Sequence, residues 1–397
     1  MTKQRLGIVG GGQLALMMAQ EAQENDLNLE IIASDPNLNC PSASYLENLI
    51  QGDFKDKATL EKIAQNCDYM TYEIELANAE VLETIERNNQ FIYPSPNVLK
   101  IIQDKLSQSR FFDQHELPIP KYFMVNDQQD LKNAIKELGL PLMIKSRFDS
   151  YDGKGNFKLT SENQIEEVFE RFDKAKLLAQ EYINFDHEVS VICVGAKNGE
   201  SIIYPVFLNK HGEDYHILHR TLMPAPLQQS ILEQAQKVAN DVLKVLNGIG
   251  VFTVEFLVHD SKVLINEVAP RVHNSGHLTI EACDYSQFHL HLLAGLKPSI
   301  PSPKLLTKHA LMQNIIGPSD FTGEYEVIYD GHSLKDLQSF DNRLFFHLYG
   351  KAETKPYRKL GHWTLLSKNK ESIAELEHEA DTILQEIRVI PKSSAHK

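Results

Sequence analysis

Cysteine is scarce in this chain, with four (Cys40, Cys67, Cys193, Cys283) among 397 residues and no CxxC pair. A disulfide scaffold or a zinc ribbon is therefore excluded, and the thiols read as reduced and buried, in a cytoplasmic protein. Long apolar runs are missing as well, since none approaches the roughly 20 residues that span a bilayer. The N-terminal apolar stretch is short and runs directly into Gly10, Gly11 and Gly12, where a secretory signal needs a longer apolar region and a cleavage site. Basic residues are outnumbered, 40 against 54 acidic, for a formal charge of -14. That balance excludes a general affinity for nucleic acid or for an acidic membrane, while leaving room for a local basic pocket. The sequence has no internal repeat and no low-complexity tract.

What is present is an ordinary globular composition, 42% hydrophobic and 24% charged, in a chain long enough for two or three packed units. The first hundred residues alternate strand and helix. An apolar run at Leu6 to Val9 meets a glycine turn, Leu14 to Ala22 is helical, and Leu29 to Ala33 leads to Asp35. A strand at Cys67 to Tyr72 then ends in Glu73 and Glu75. This order predicts a doubly wound α/β unit with ligands beyond the carboxyl ends of its strands. A charged helix over Asp104 to Glu116 precedes the break at Leu117 to Pro120. An α+β region follows, with strands at Leu142 to Lys145, Leu177 to Tyr182, Val189 to Val194 and Ile202 to Val206. Next come a helix at Gln228 to Leu246 and a hairpin of Val251 to Val258 with Lys262 to Glu267. Three prolines between Pro298 and Pro303 predict a linker to a C-terminal unit, which closes on a helix over Glu371 to Ile387 and a polar tail.

Several stretches carry chemistry. Gly10 to Ala15 fits the GxGxxA dinucleotide fingerprint, and Asp35 stands about where a ribose-binding acid is expected. The same residues equally describe a glycine turn at a helix N-terminus that holds another phosphate or ribose. Lys145 ends a strand just before the loop Tyr151, Asp152, Gly153, Lys154 and Gly155. Such a lysine and glycine pattern suits a polyphosphate, or else a solvated hairpin. Glu255 and Glu267 lie on adjacent antiparallel strands among apolar neighbours, so that with Asn266 they could surround one hard cation. The run from Ala269 to His277 concentrates Arg271, His273, Asn274, Ser275 and His277, a donor set that an anionic substrate requires. A second basic loop, Tyr349 to His362, holds Lys351, Arg358 and Lys359, and fits a phosphate ester or a solvated hairpin.

Taken together, these stretches resemble the N5-carboxyaminoimidazole ribonucleotide synthase family of the ATP-grasp superfamily. The resemblance covers nearly the whole chain. Its most specific part is NEVAPRVHNSGH (Asn266 to His277), followed by EACDYSQF (Glu281 to Phe288), with YDGKG (Tyr151 to Gly155) and RKLGH (Arg358 to His362) in the right order. It implies an ATP-grasp fold in three parts: an α/β pre-ATP-grasp domain over 1–104, an ATP-grasp domain over 105–300 with a mobile lid at about 118–182, and a small C-terminal domain over 301–397. It implies ATP-dependent carboxylation of 5-aminoimidazole ribonucleotide by bicarbonate, through carboxyphosphate, in purine biosynthesis.

By the same resemblance Lys105 and Lys145 contact ATP phosphates, and the loop Tyr151 to Gly155 closes over them. Gln180, Glu181, Tyr182 and Ile183 hold adenine, Glu188 the ribose, and His211 lies near the nucleotide. Glu255 and Glu267 hold Mg²⁺, with Asn266 beside them; the oxygen set also suits Mn²⁺. The ribonucleotide lies among Gly12, Gln13, Leu14, Glu73, Tyr151, Asp152, Lys351, Arg358 and Lys359. Arg271, His273 and Asn274 position bicarbonate. A cytoplasmic homodimer with small-molecule partners is implied too. The chain departs from the family pattern at Asp149 and Ser150, where glycines are usual, and at Gln180, Asn156 and Ala15. Those departures keep open a divergent ligase acting on another amine or carboxylate, and a non-catalytic nucleotide-binding protein.

Overall fold

The apolar residues Leu6, Ile8 and Val9 put the strand Gln4–Val9 at the centre of a five-stranded parallel sheet. Leu29–Asp35 and then Asn48–Gln51 pair on one side, and Tyr69–Tyr72 and then Phe91–Ile92 on the other. The chain thus leaves the central strand in one direction and returns on the opposite side, which opens a crevice beyond the strand ends. Gly10 to Gly12 and Glu73 to Glu75 both fall there. This computed structural model describes residues 3–148, 155–173, 176–212, 217–335, 342–369 and 371–392.

Helix Lys105–Gln114, capped by the Asp104 side chain on the Leu106 amide, leads to a four-stranded antiparallel sheet. Its order is Tyr122–Val125, Leu177–Glu181, Leu142–Ser146, Asn156–Leu159. Helices Gln128–Leu138 and Ile165–Arg171 supply Leu131, Ala134, Ile135 and Val168 to a core of its own.

The remainder is built on a nine-stranded antiparallel sheet. It runs Lys262–Ala269, Gly250–His259, His187–Gly195, Phe207–His211, Leu218–Met223, Ala310–Ile316, Lys359–Leu366, Leu344–Leu348, with Ser201–Ile203 added to His187–Gly195. Helix Gln229–Val245 covers one face and Gln287–Leu296 the other. Ala310–Ile316 pairs with Leu218–Met223, so the strands after the proline linker continue the same sheet.

Two readings of the sequence need correction. The expected strand Ile202 to Val206 stops at Ile203, because Pro205 has no N–H for a ladder, and a separate strand, Phe207–His211, follows. The last helix, Ile373–Glu386, opens with a Ser372/Glu375 capping box and ends before Ile387–Pro391. That segment is a strand paired with Tyr325–Tyr329 rather than the end of a helix. Among the described residues no helix is long and apolar enough to cross a membrane.

Candidate active site

The large sheet separates polar from apolar by strand alternation. Val189, Val191, Leu208, Leu222, Val254 and Phe256 turn into one core. The residues between them, Glu188, Ser190, Asn209, Thr221 and Glu255, carry polar side chains, and in register Ser190 faces Glu255 while Asn209 faces Glu188 and Thr221.

Glu255 is the cross-strand partner of Glu267, but the next residue, Phe256, pairs with Ile265. Asn266 is therefore the extra residue of a β-bulge. In a regular strand Asn266 and Glu267 would point to opposite faces; the bulge lets both serve one site. Asn266 Oδ1 accepts from Lys145 Nζ at 3.0 Å, and Glu267 Oε1 accepts from Lys105 Nζ at 2.8 Å. Lys105 starts its helix and Lys145 nearly ends its strand, so two lysines from separate elements converge on one hairpin. The Glu267 side chain is still 42% exposed, which leaves it accessible to a ligand.

Arg271 Nε lies 3.1 Å from Glu75 Oε1, and His273 Nε2 lies 3.3 Å from Glu255 Oε1. His211 Nδ1 approaches Glu188 Oε2 at 2.7 Å. Glu75, noticed in the sequence only as an acid at a strand end, has its role here as the partner of Arg271. Its signal in the sequence is the pair of carboxylates, Glu73 and Glu75, that closes one strand.

The charges are strongly coupled. Burial, followed by repulsion from Glu267, pushes the Glu255 carboxyl up to about 7. Burial, then Lys105, brings Lys145 down to about 8. Burial acts against ionisation of Glu267 as well, but Lys105 outweighs it and holds this carboxyl below its ordinary value. Burial, with Arg271 and Lys359 adding to it, holds His273 well below the usual imidazole range, so the ring is neutral. Lys359 thereby belongs to the surroundings of the central histidines.

Other expected residues are placed differently. The Gly12 amide donates to Glu73 Oε1, and the Ala15 amide donates to Glu73 Oε2 at 2.8 Å. Asp35 Oδ2 accepts from the Gly11 amide at 3.2 Å. The helix N-terminus is thus engaged by Glu73 and the fingerprint acid by the Gly11 amide, against the dinucleotide reading. Burial raises the Glu73 carboxyl, while the two amides counter it. Leu14 is buried in the core and Gln13 is half-buried at the helix start.

Both ends of the Asn274 amide are occupied by Asn314, at 3.0 and 2.7 Å, so Asn274 ties its loop to the sheet. Gln180 is buried in the middle of the four-stranded sheet. Glu181 accepts from the Lys121 amide and donates its own amide back to Lys121, while the Tyr182 amide donates to Pro141. Ile183 follows at the strand's end. Lys351 donates to the Lys359 carbonyl and Arg358 to that of Glu353, within the loop between Leu344–Leu348 and Lys359–Leu366. Tyr151, Asp152, Gly153 and Lys154, with Asp149 and Ser150, lie outside the described residues. Gly155 accepts from the Ser146 amide at 2.8 Å. Beside the lysines a cleft of about 510 Å³ runs past Gln103, Asp104, Lys105, Arg147 and Glu267.

Comparison with known proteins places the fold in one family. The ribonucleotide synthetase preATP-grasp domain matches residues 2–103, the ATP-grasp domain 110–288, and the phosphoribosylaminoimidazole carboxylase C-terminal domain 310–376. An ATP-grasp domain with paired lysines over paired carboxylates defines the class, an ATP-dependent ligase.

The N5-carboxyaminoimidazole ribonucleotide synthase of Staphylococcus aureus (strain COL) is 34% identical over 370 residues, 91% of this chain and 92% of that one. The crystal structure of the Staphylococcus aureus N5-carboxyaminoimidazole synthetase with ADP has a TM-score of 0.83 at 32% identity, covering 96% of each chain. That of the Aspergillus clavatus enzyme with ADP and 5-aminoimidazole ribonucleotide has a TM-score of 0.84 at 29% identity, covering 97% of this chain and 98% of that one. The chain belongs to the N5-carboxyaminoimidazole ribonucleotide synthase family, ATP-dependent ligases of purine biosynthesis.

Proposed function

We propose that this chain carboxylates the amine of 5-aminoimidazole ribonucleotide, using ATP to activate bicarbonate as carboxyphosphate, with the residues around the bulged hairpin as its machinery. The observation that carries the reading is the bulge at Asn266, which gathers Glu255, Asn266 and Glu267 beneath Lys105 and Lys145.

Lys105 and Lys145 neutralise the phosphates and hold the γ-phosphoryl in line with its acceptor. An incoming phosphate restores the proton affinity that burial has taken from Lys145. Arg271, steadied by Glu75, offers guanidinium donors to bicarbonate, and His273 presents a neutral ring beside Glu255. Lys351, Arg358 and Lys359 form a basic edge for the ribonucleotide's phosphate on an otherwise acidic protein. The Gly12, Gln13 and Leu14 turn, with Glu73, closes the far wall. Gln180 to Ile183, Glu188 and His211 flank the nucleoside.

A magnesium or manganese ion fits between Glu255 and Glu267. Two carboxylates are cross-strand partners there, and burial, then repulsion from Glu267, raises Glu255 to about 7. Among the described residues no group of three or more His, Cys, Asp or Glu is placed to hold a metal ion by itself; a hard cation here would complete its shell with phosphate oxygens. When bound, the ion supplies charge neutralisation at the phosphates. The working form in this reading is a cytoplasmic homodimer with small-molecule partners; a one-chain mass in sedimentation velocity would remove the dimer.

The test is phosphate release from ATP and Mg²⁺ in bicarbonate, with and without 5-aminoimidazole ribonucleotide. Strong stimulation by the ribonucleotide supports the assignment. ATP binding without stimulation would move the search to another amine acceptor.

A further inference from the structure

Behind His273 the polar face of the sheet contains a chain of hydrogen bonds that ends on its ring. Thr221 Oγ1 donates to Asn209 Oδ1 at 3.3 Å, and Asn209 Nδ2 donates to Ser190 Oγ at 3.0 Å. Ser190 Oγ donates to Ser275 Oγ at 2.9 Å, and Ser275 Oγ lies 2.9 Å from His273 Nδ1. Thr221, Ser190 and Ser275 are wholly buried and Asn209 nearly so. Four stretches of chain contribute: the strands carrying Thr221, Asn209 and Ser190, and the turn after His273.

The polarity of the chain is determined. It is anchored at the ring, where the Ser275 backbone N–H, 3.3 Å away, can only donate to His273 Nδ1. With Nδ1 an acceptor, Ser275 Oγ donates to it and takes the hydrogen of Ser190, which accepts in turn from Asn209 Nδ2. Two donors converge on Nδ1, which therefore carries no proton. The ring proton sits on Nε2, 3.3 Å from Glu255 Oε1.

We infer that Ser275, Ser190 and Asn209 are positioning residues which fix His273 as the Nε2–H tautomer, so that His273 serves the reaction as a hydrogen-bond donor and not as a proton acceptor. The inference rests on the placement of His273 in the active site proposed above. Its consequence is that a base for the ribonucleotide amine must come from elsewhere, because the ring nitrogen facing the junction already holds its hydrogen.

The test begins with the unmodified full chain labelled with ¹⁵N-histidine. Long-range ¹H–¹⁵N spectra distinguish the two tautomers and the doubly protonated ring, and the His273 signals are those lost in His273→Gln. The expected result is protonation at Nε2 alone; an Nδ1–H or doubly protonated ring overturns the inference. In turnover, Ser275→Ala is expected to lower kcat about ten- to a hundred-fold while the KM for ATP stays within about two-fold. Ser275→Thr, which returns the hydroxyl, should recover most of the loss. An unchanged kcat in Ser275→Ala refutes the positioning role. Failure of the ribonucleotide to stimulate the parent chain would count against the assigned reaction, while the tautomer spectrum still decides the relay.

Discussion

Lys145 and Lys105 are paired cations whose proton affinities are pushed apart. Lys145, brought down to about 8 by burial and by its neighbour, is charged below that pH and neutral above it. The sign follows: ATP capture is full below about pH 8 and weakens as pH rises through that value. We expect a falling limb in kcat/KM for ATP, and its displacement upward in Lys145→Arg. Glu267→Ala should abolish ATP turnover in a folded chain, because it removes a carboxylate and leaves Lys105 half-buried without its 2.8 Å partner; near-normal turnover in a variant with native circular dichroism would refute the metal role. Lys359→Ala should chiefly raise the KM for the ribonucleotide, and an unchanged KM would return its loop to the status of a plain hairpin. Residue types were readable at this scale, their contacts less so. Asn274 looked like a donor for bicarbonate, yet its amide is used by Asn314, forty residues away. Glu73 looked like a ligand for a ribonucleotide and is bonded to Gly12 and Ala15. Local sequence does not announce such distant partners, because turns and strand ends far apart in the chain meet only in the folded molecule.

Asp104 joins two elements. It caps helix Lys105–Gln114 through the Leu106 amide and the Ser107 hydroxyl, and it takes a two-pronged ion pair from Arg147, just after the strand Leu142–Ser146. Burial opposes ionisation of Asp104, but Arg147 and the cap hold its carboxyl below the ordinary range. Asp104→Ala should cost about 2–4 kcal/mol, from the lost cap and the uncompensated guanidinium. Asp104→Asn keeps the cap acceptor and should cost less, a difference that urea denaturation of the two variants would resolve. Elements of strong periodicity, such as Gln229–Val245 and the hairpin of Gly250–His259 with Lys262–Ala269, were legible. The bulge at Asn266 was not, since skipping one residue in a ladder leaves no mark in composition. The strand Ile387–Pro391 was hidden for a related reason: its partner, Tyr325–Tyr329, lies some sixty residues earlier.

Across the whole molecule, His291 links the first sheet to the large one. Its Nδ1 accepts from the Val251 amide at 3.0 Å, so its Nε2–H donates to Thr71 Oγ1 at 2.8 Å. Burial pushes the ring down to about 3. The unfolded chain therefore binds a proton near pH 6.5 that the folded one refuses. Stability is fully present above that pH and is lost as pH falls from about 6.5 towards 3. Urea denaturation at a series of pH values should show this decline, and His291→Asn should make it shallower by about one proton. The parallel order of the first unit was legible from its alternation of strand and helix; the joining of strands across the proline linker was not. That joining bears on how the chain can be taken apart. The covalent path between Leu218–Met223 and Ala310–Ile316 passes through an exposed stretch at 302 and 304–306, whereas the two strands themselves are hydrogen-bonded side by side. A protease cut in that stretch severs the polypeptide while leaving the strand pairing in place, so the two fragments are expected to elute together in native size exclusion and to separate only in denaturant.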